Sequence, residues 1–310
     1  MWFVFAAASA LCFGLRGILY QWSSQRPMDR SLMLLGVYFS GMLIALAASL
    51  LTSAPWSPAV GMGAALGLFS FISNAAMYKG YAVGKTSLVA MFTALPPVVV
   101  VLLAYLIWGE KLNGWQLLAF FIIIAGVLMI RYSNDISLKN LQGAQWGLIA
   151  MLFFGLTDLS TKGATLMGAA TLPTLTLMYA TGTVLFGLSW QAGRAGASAA
   201  RAEAARGRSE MAAAGEGSAG AAPPAPPGAW TSRRTLLWGM AVGLTNISGM
   251  MLLMPAFRLG VTGLVSVVSA MNVVIVLLYA RFGLREPFTR LEAAGLTAAL
   301  AGIVVLRLAS

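Results

Sequence analysis

Long runs of apolar residues alternate with short polar gaps along most of the chain. A helix needs roughly 20 mostly apolar residues to cross about 30 Å of hydrocarbon, since each residue adds 1.5 Å. A membrane barrel would show short segments of alternating polarity instead. Because a helix pairs its own backbone groups in lipid, the pattern predicts about ten transmembrane helices. Their expected spans are 2–21, 31–51, 59–78, 86–108, 114–132, 146–166, 173–192, 235–257, 262–284 and 290–308.

One gap, residues 193–231, is far longer than the others. It is rich in Ala, Gly, Arg and Glu and ends in a proline-rich run at 223–228. Such a composition buries too little apolar surface to become ordered. We predict a disordered linker between helices 7 and 8. The alternative for its Ala/Arg/Glu part is an amphipathic helix on the membrane surface.

The chain also resembles itself. Residues 84–131 align with residues 260–307 without a gap, and 13 of the 48 positions are identical. Pairs such as Gly84 with Gly260 and Glu110 with Glu286 are the strongest evidence that the two segments are related, because apolar identities arise by chance in membrane helices. Residues 11–15 match residues 152–156 in the same way, with a Phe-Gly pair in common. The pattern indicates an internal duplication.

The duplication divides the chain into two five-helix repeats. Residues 1–132 form the first, and residues 133–192 with 232–310 form the second, with the linker 193–231 inserted between helices 7 and 8. Because five is odd, the second repeat enters the membrane from the opposite side. We therefore expect an all-α integral membrane protein built from inverted repeats, an arrangement found in secondary transporters with a site near the midplane.

Composition narrows the classes of function. Of 310 residues, 59% are hydrophobic and 9% are charged, so the lipid bilayer is the expected surrounding. The net charge of +11 sits in short gaps, which is not typical of a nucleic-acid surface. The chain has no histidine and a single cysteine, Cys12, which excludes imidazole chemistry and disulfides. The sequence has no Gly-x-x-x-x-Gly-Lys-Ser/Thr loop, so we expect no ATP-driven pumping. Because it also lacks histidine, paired carboxylates and a metal-binding constellation, we expect no cofactor and no enzyme activity.

Two matching turns carry a family resemblance. Residues 108–112, Trp-Gly-Glu-Lys-Leu, lie between helices 4 and 5, and residues 284–288, Leu-Arg-Glu-Pro-Phe, lie between helices 9 and 10. With Gly126 and Gly302 in the closing helices, they resemble the EamA-type ten-helix members of the drug/metabolite transporter superfamily. Arg285 stands where the family usually has Gly. The resemblance implies a multi-pass protein of a bacterial inner membrane.

The leading hypothesis is a secondary active transporter, an exporter of small metabolites or drugs that works by alternating access. It would be coupled to protons or act as an exchanger. The alternatives are a flippase for lipids or lipid-linked substrates, or an integral membrane enzyme. The expected partners are a small-molecule substrate, protons, the lipid bilayer and a second copy in a homodimer, with no nucleic acid.

Eight residues within the predicted helices are candidates for substrate binding: Arg16, Asn74, Tyr78, Pro96, Asp158, Lys162, Asn246 and Asn272. An unpaired charge in hydrocarbon costs about 2.5–3.5 kcal/mol. Asp158 and Lys162 share one helix face, so either they neutralise each other or Asp158 binds a cationic substrate or a coupling proton. Arg16 either reaches towards Asp158 across the repeat axis or extends to the membrane interface.

The neutral candidates have two interpretations each. Each polar side chain either joins helices by hydrogen bonds or contacts substrate. These side chains are Asn74, Tyr78, Asn246 and Asn272. Pro96, followed by a second proline, removes backbone donors and breaks helix 4, and its repeat partner is Asn272. A broken helix opposite a polar residue is a place where transporters bind substrate.

Two carboxylates at helix ends are expected to be structural. Glu110 and Glu286, at helix ends, are expected to cap the helix that follows.

Loops after odd-numbered helices carry most of the basic residues, which places the linker in the cytoplasm and both termini outside. Ten-helix relatives are generally drawn the other way round, and we follow the local charges. The basic residues on the linker's side are Arg26, Arg30, Lys79, Lys85, Arg131, Lys139, Arg281, Arg285 and Arg290, against Lys111, Arg258 and Arg307 opposite.

Overall fold

The computed structural model describes residues 1–83, 86–132, 143–213, 230–283, 285 and 289–309. These residues contain ten helices, two of them broken, and no strand. The helices are α1 (Trp2–Ser24), α2 (Arg30–Leu51), α3 (Met62–Val83), α4a (Thr86–Phe92), α4b (Pro96–Trp108), α5 (Gly114–Arg131), α6 (Ala144–Leu166), α7 (Thr171–Ala213), α8 (Ser232–Leu259), α9a (Thr262–Ser269), α9b (Asn272–Leu278) and α10 (Arg290–Leu308). The all-α fold class is confirmed. A 3₁₀ turn, Pro58–Gly61, precedes α3, and a π turn, Tyr279–Gly283, extends α9b.

Nine helical stretches in the described residues are long and apolar enough to cross a membrane. The stretch that does not meet this criterion is α6, whose polar residues include Asp158 and Lys162. A charged helix of this length can still lie in the membrane if its neighbours satisfy the charges. The contacts of α6 are therefore central to the site described below.

The ends of the helices repeat between the halves. Asn113 and Gln116 form a capping box at the start of α5, and Thr289 and Glu292 form one at the start of α10. The turn before each box contains a residue in the left-handed conformation, Gly109 at φ 67° in the first half. The residue at the same place in the second half is Arg285, at φ 58°.

Helix packing follows the same two-fold relation. Helix α1 packs on α8, and its counterpart α6 packs on α3, which is the counterpart of α8. In the same way, α2 packs on α8 and its counterpart α7 packs on α3. The remaining large contacts join each helix to its own counterpart, α2 to α7 and α5 to α10. The relation extends to single atoms in two equivalent contacts. A Cβ on Gly63 would lie 2.3 Å from the carbonyl oxygen of Thr174. A Cβ on Gly239 would lie 2.2 Å from the carbonyl oxygen of Met33. These backbones approach so closely that only glycine fits at either position.

Both fourth helices of the repeats are broken at the same place. Helix α4 stops at Phe92 and restarts at Pro96, and helix α9 stops at Ser269 and restarts at Asn272. Proline lacks an N–H and is well suited to the first turn of a helix, so α4b begins at Pro96. The expected break in α4 is confirmed, and the break in α9 occurs without a proline.

The seventh helix is much longer than expected. Helix α7 continues to Ala213, so residues 193–213 are helical and the prediction of disorder is wrong for them. Their many Ala, Arg and Glu residues have high helix propensity and propagate a helix that has already begun in the membrane. Residues 214–229 of the expected linker lie outside the described residues, as do Gly84, Lys85, Lys139, Leu284, Glu286, Pro287 and Phe288.

Candidate substrate site

Asp158 on α6 lies beside the broken ninth helix. Its Oδ2 accepts a hydrogen bond of 2.5 Å from the hydroxyl of Ser266, which is in α9a. The same face of α6 packs on the broken fourth helix, because Gly155 brings the backbone to within contact distance of Val99 on α4b. The carboxylate therefore stands between the two broken helices. Ser266 itself is 2% exposed, so the pair is inside the protein.

Lys162 does not neutralise Asp158, although the two residues are one turn apart. Its Nζ donates hydrogen bonds of 2.9 Å to the carbonyl oxygens of Phe257 and Gly260 at the end of α8. It also forms an ion pair of 3.4 Å with Glu110 Oε1. The interpretation of Asp158 and Lys162 as a mutual pair is therefore wrong, because the long lysine side chain reaches carbonyl and carboxylate oxygens on other helices.

Glu110 joins the two halves of the protein. Its carboxylate accepts hydrogen bonds from the backbone N–H of Thr262 at 2.7 Å and from the Thr262 hydroxyl at 2.9 Å. Glu110 thus caps the start of α9a in the other half, whereas α5, the helix that follows it, is capped by Asn113. The expectation that Glu110 is a capping residue is confirmed, but the helix is a different one. Glu286 lies outside the described residues.

The Glu110, Lys162 and Thr262 contacts form one cluster, which we call the end clamp. It holds four helix ends together: the end of α4b, the last turns of α6 and α8, and the first turn of α9a. Because helices alternate in direction, these four ends lie on the same side of the membrane, the side that also carries both chain termini. The end clamp closes the helix bundle on that side.

Arg16 on α1 faces α8 rather than Asp158. Its Nη1 donates a hydrogen bond of 2.5 Å to Asn246 Oδ1, which is 3% exposed. Its guanidinium carbon lies 4.6 Å from the centre of the Phe13 ring and 5.7 Å from that of Tyr20. The expected reach from Arg16 to Asp158 is not observed. Two of the eight candidates, Arg16 and Asn246, are instead brought together across the repeats.

Asn74 belongs to a hydrogen-bonded group on α2 and α3. Its Nδ2 donates to the Ser70 carbonyl oxygen at 2.7 Å and to the Tyr38 hydroxyl at 3.4 Å. The hydroxyls of Tyr38 and Ser70 are also hydrogen-bonded to each other. Tyr38 stacks edge-on against Tyr179 of α7, with ring centres 5.6 Å apart.

The remaining candidates lie at helix ends or breaks. Asn272 donates through Nδ2 to the Ser269 carbonyl oxygen at 3.0 Å, which satisfies the backbone at the break of α9. Pro96 is buried at the start of α4b. Tyr78 is half-buried, and the guanidinium carbon of Arg30 lies 5.7 Å from its ring centre. Asn272 and Pro96 therefore flank the breaks, whereas Tyr78 is in contact with Arg30 nearer the linker's side.

Sequence reasoning missed Ser266, Tyr38 and Tyr179. Ser266 gave no signal, because a serine in an apolar helix is common. Tyr38 and Tyr179 did carry one, since they occupy equivalent repeat positions and their rings meet at the two-fold axis. A Cβ on Gly182 would collide with the Tyr38 ring, and a Cβ on Gly41 with the Tyr179 ring, which repeats the same packing.

One surface groove lies elsewhere. It has a volume of about 300 Å³ between α2 and α8 and is lined by Ser40, Leu43, Ile44, Met240, Ala241 and Leu244. None of the eight candidate residues lines it. An apolar groove on a membrane helix pair is suited to a lipid chain, so we do not place the substrate site there.

Comparison with known proteins agrees with the helical architecture. The model of the EamA-like transporter family, in the drug/metabolite transporter superfamily, matches residues 1–132. Among solved structures, 28 chains match. One of them, described only as a crystal structure of a protein, has a TM-score of 0.71 at 15% identity, over 98% of this chain and 96% of that chain. At that identity the likeness shows the fold alone. No curated protein matches the sequence.

Proposed function

We propose that the protein is a secondary active transporter that exports small metabolites or drugs by alternating access. The proposal is supported by the match of residues 1–132 to the model of the EamA-like transporter family. The members of that family are membrane transporters rather than enzymes. We further propose a bacterial inner membrane as its location, on the basis of the family resemblance, and a cytoplasmic linker, on the basis of the loop charges.

The observation that carries the proposal is the position of Asp158 between two broken helices. Its partner in the described residues is the neutral Ser266 hydroxyl, whereas the nearby cation Lys162 is held by Glu110 and two carbonyl oxygens. A carboxylate inside a membrane protein needs a positive partner or a proton. A coupling proton or a cationic substrate group fills that need.

Alternating access suits the reciprocal packing of the repeats. The end clamp holds the side with the termini shut, so transport requires the Glu110 and Lys162 contacts to break and reform. Equivalent helices meet across the two-fold axis, and either side of the bundle can open by the same movement of one half against the other. The broken helices provide backbone that can bend at the level of the site.

The alternatives predict different measurements. A flippase would move fluorescent phospholipids between leaflets, and an enzyme would convert a substrate chemically. We expect purified protein in proteoliposomes to carry at least one member of a radiolabelled panel of amino acids, organic acids and amines, without scrambling lipids. Lipid scrambling in the absence of solute flux would overturn the proposal in favour of a flippase.

A further inference from the structure

The groove between α2 and α8 lies beside the closest approach of these two helices. A Cβ on Gly36 would lie 2.4 Å from the Leu236 carbonyl oxygen, so the backbones meet there without a side chain between them. The groove follows one turn further along both helices and has a volume of about 300 Å³. Leu43 on one wall is 43% exposed and Leu244 on the other is 54% exposed, so the groove opens towards lipid.

Three tryptophans mark the membrane interface on the linker's side of this groove. The ring centre of Trp238, on α8, lies 4.6 Å from that of Trp22 and 6.3 Å from that of Trp230. The Trp238 Nε1 donates a hydrogen bond of 2.8 Å to the Ser23 hydroxyl at the end of α1. Tryptophan is enriched where the hydrocarbon meets the lipid headgroups. The start of α8, between Trp230 and Trp238, therefore lies at the level of the headgroups.

Arg233 and Arg234 occupy this stretch, on the face of α8 that leads into the groove. Met240 follows Arg233 by seven residues, and Ala241 follows Arg234 by seven. Each pair therefore shares a helix face, two turns or about 10 Å apart. Leu237, between the arginines and the groove, is 54% exposed on the same face. Both arginines are exposed, and neither forms an ion pair with a described residue.

The internal duplication shows that these charges are not needed for the packing. The close contact of Gly63 with α7 is equivalent to that of Gly239 with α2. In the same register, Ser57 and Pro58 stand before α3 where two arginines stand at the start of α8. The equivalent face on the other side of the membrane thus has the same helix contact and no charge. The two arginines point to a partner outside the repeated framework.

We propose that the start of α8 and the groove between α2 and α8 bind one anionic phospholipid. Its phosphate lies between Arg233 and Arg234, and one acyl chain lies in the groove. A guanidinium pairs with phosphate oxygens through two N–H groups at once, which fixes the headgroup as well as attracting it. An anionic lipid supplies the counter-charge that the two arginines lack within the described residues, whereas a zwitterionic lipid brings a cation of its own. The inference is independent of the proposed transport function.

Native mass spectrometry of the purified full-length protein measures this binding. The protein in detergent is titrated with phosphatidylglycerol, or with phosphatidylcholine that has the same acyl chains. We expect one phosphatidylglycerol per chain to be retained in a saturable way, and to raise the melting temperature more than phosphatidylcholine does. Equal retention of the two lipids, or a preference for phosphatidylcholine, would overturn the proposal.

Charge variants assign the preference to this face of the protein. The double variant Arg233→Gln/Arg234→Gln is expected to weaken phosphatidylglycerol binding roughly twentyfold, since each arginine near an anionic lipid contributes about fivefold. The matched control, Arg285→Gln/Arg290→Gln, removes two exposed arginines from the same side of the membrane and should bind like the wild type. Equal losses in the two double variants would mean that the lipid responds only to the overall surface charge, which contradicts a defined site.

A second pair of variants tests the groove. Ala241→Phe places a ring in the groove, and Ala65→Phe is the equivalent change on α3. We expect Ala241→Phe to weaken phosphatidylglycerol binding and Ala65→Phe to leave it unchanged. The gel-filtration profile and the lipid-free melting temperature of each variant show that it is folded. Wild-type binding by folded Ala241→Phe would remove the groove from the site, and the proposal would be wrong.

Discussion

Tyr38 and Tyr179 occupy the same position in the two repeats and have different surroundings. Their rings meet edge-on, and each lies over a glycine of the opposite helix, Gly182 or Gly41. The Tyr38 hydroxyl is hydrogen-bonded to Ser70, while the Tyr179 hydroxyl has no partner in the described residues. A duplicated framework has thus kept its packing and changed its polar contacts.

Replacing each tyrosine by phenylalanine should therefore have opposite effects. Tyr179→Phe removes an unpaired buried hydroxyl and is expected to stabilise the ligand-free protein by about 1 kcal/mol. Tyr38→Phe removes a hydrogen bond and is expected to destabilise it by a similar amount, about 1 kcal/mol. Thermal unfolding in detergent measures both. A loss of stability in both variants would mean that the Tyr179 hydroxyl has a partner.

Single residues were predicted from the sequence in part. The presence of Asp158, Lys162 and Arg16 inside helices follows from counting apolar residues, and the structure agrees. Their partners did not follow, because spacing of three or four residues identifies neighbours on one helix only. Lys162 turns to α8 and Glu110, and Arg16 turns to Asn246, through contacts between distant parts of the chain.

At the scale of elements, the turn before α5 and the turn before α10 share a backbone conformation but differ in sequence. Gly109 has φ 67° and Arg285 has φ 58°. A left-handed residue with a side chain is strained by about 1 kcal/mol, and glycine is not. The structural repeat has therefore been retained in spite of an unfavourable residue.

Arg285→Gly is expected to relieve that strain. It should raise the free energy of unfolding by about 0.5–1 kcal/mol, the usual gain when a residue suits its backbone conformation. Gly109→Ala is the matched control and should lower it by about 1 kcal/mol. The melting temperatures of the two variants, compared with the wild type, decide the matter. A destabilised Arg285→Gly protein would show that the arginine side chain has a stabilising contact.

The end clamp predicts energetic coupling between α4b and α6. The Lys162 side chain is 8% exposed and that of Glu110 is 20% exposed, so solvent screens their ion pair only in part. In a double-mutant cycle, Lys162→Gln and Glu110→Gln should each destabilise the protein. The double variant should be more stable than the sum of the two losses by about 1 kcal/mol. Additive losses would mean that the pair contributes nothing as a pair.

Most element boundaries followed from the sequence, and the exceptions have physical reasons. Hydrophobic length fixed the spans, and Pro96 marked the break in α4. The break in α9 has no such marker, since Asn272 satisfies the freed Ser269 carbonyl only after the chain has folded. Helix α7 runs on to Ala213 because helix propensity continues where hydrophobicity stops.

For the whole molecule, the duplication is the feature that the sequence indicated best. Two short stretches of identities predicted two similar halves, and reciprocal contacts such as those of Gly63 and Gly239 follow the same relation in space. Glu110 capping α9a shows how the halves interlock. No alignment of the chain with itself could indicate that link, because it depends on how the halves dock.

Orientation is a prediction of the loop charges. Cysteines placed in a Cys12→Ser background, at Ala205 on the extension of α7 and at Ser57 in the loop after α2, are both exposed and lie on opposite sides. In intact cells, a membrane-impermeant maleimide is expected to label Ser57→Cys and to spare Ala205→Cys until the cells are opened. The reverse pattern would place both termini in the cytoplasm and leave the fold unchanged.

The central claim is that Asp158 couples solute movement to protons or binds the solute itself. The most direct measurement compares gradient-driven accumulation with solute exchange in proteoliposomes, for wild type, Asp158→Asn and the control Asp29→Asn. Asp29 caps α2, where Asn serves equally well, so that variant should resemble the wild type. Asp158→Asn is expected to lose accumulation driven by a pH gradient, and to keep exchange if the carboxylate carries only the proton. Accumulation at the wild-type level with unchanged pH dependence in Asp158→Asn would contradict the account.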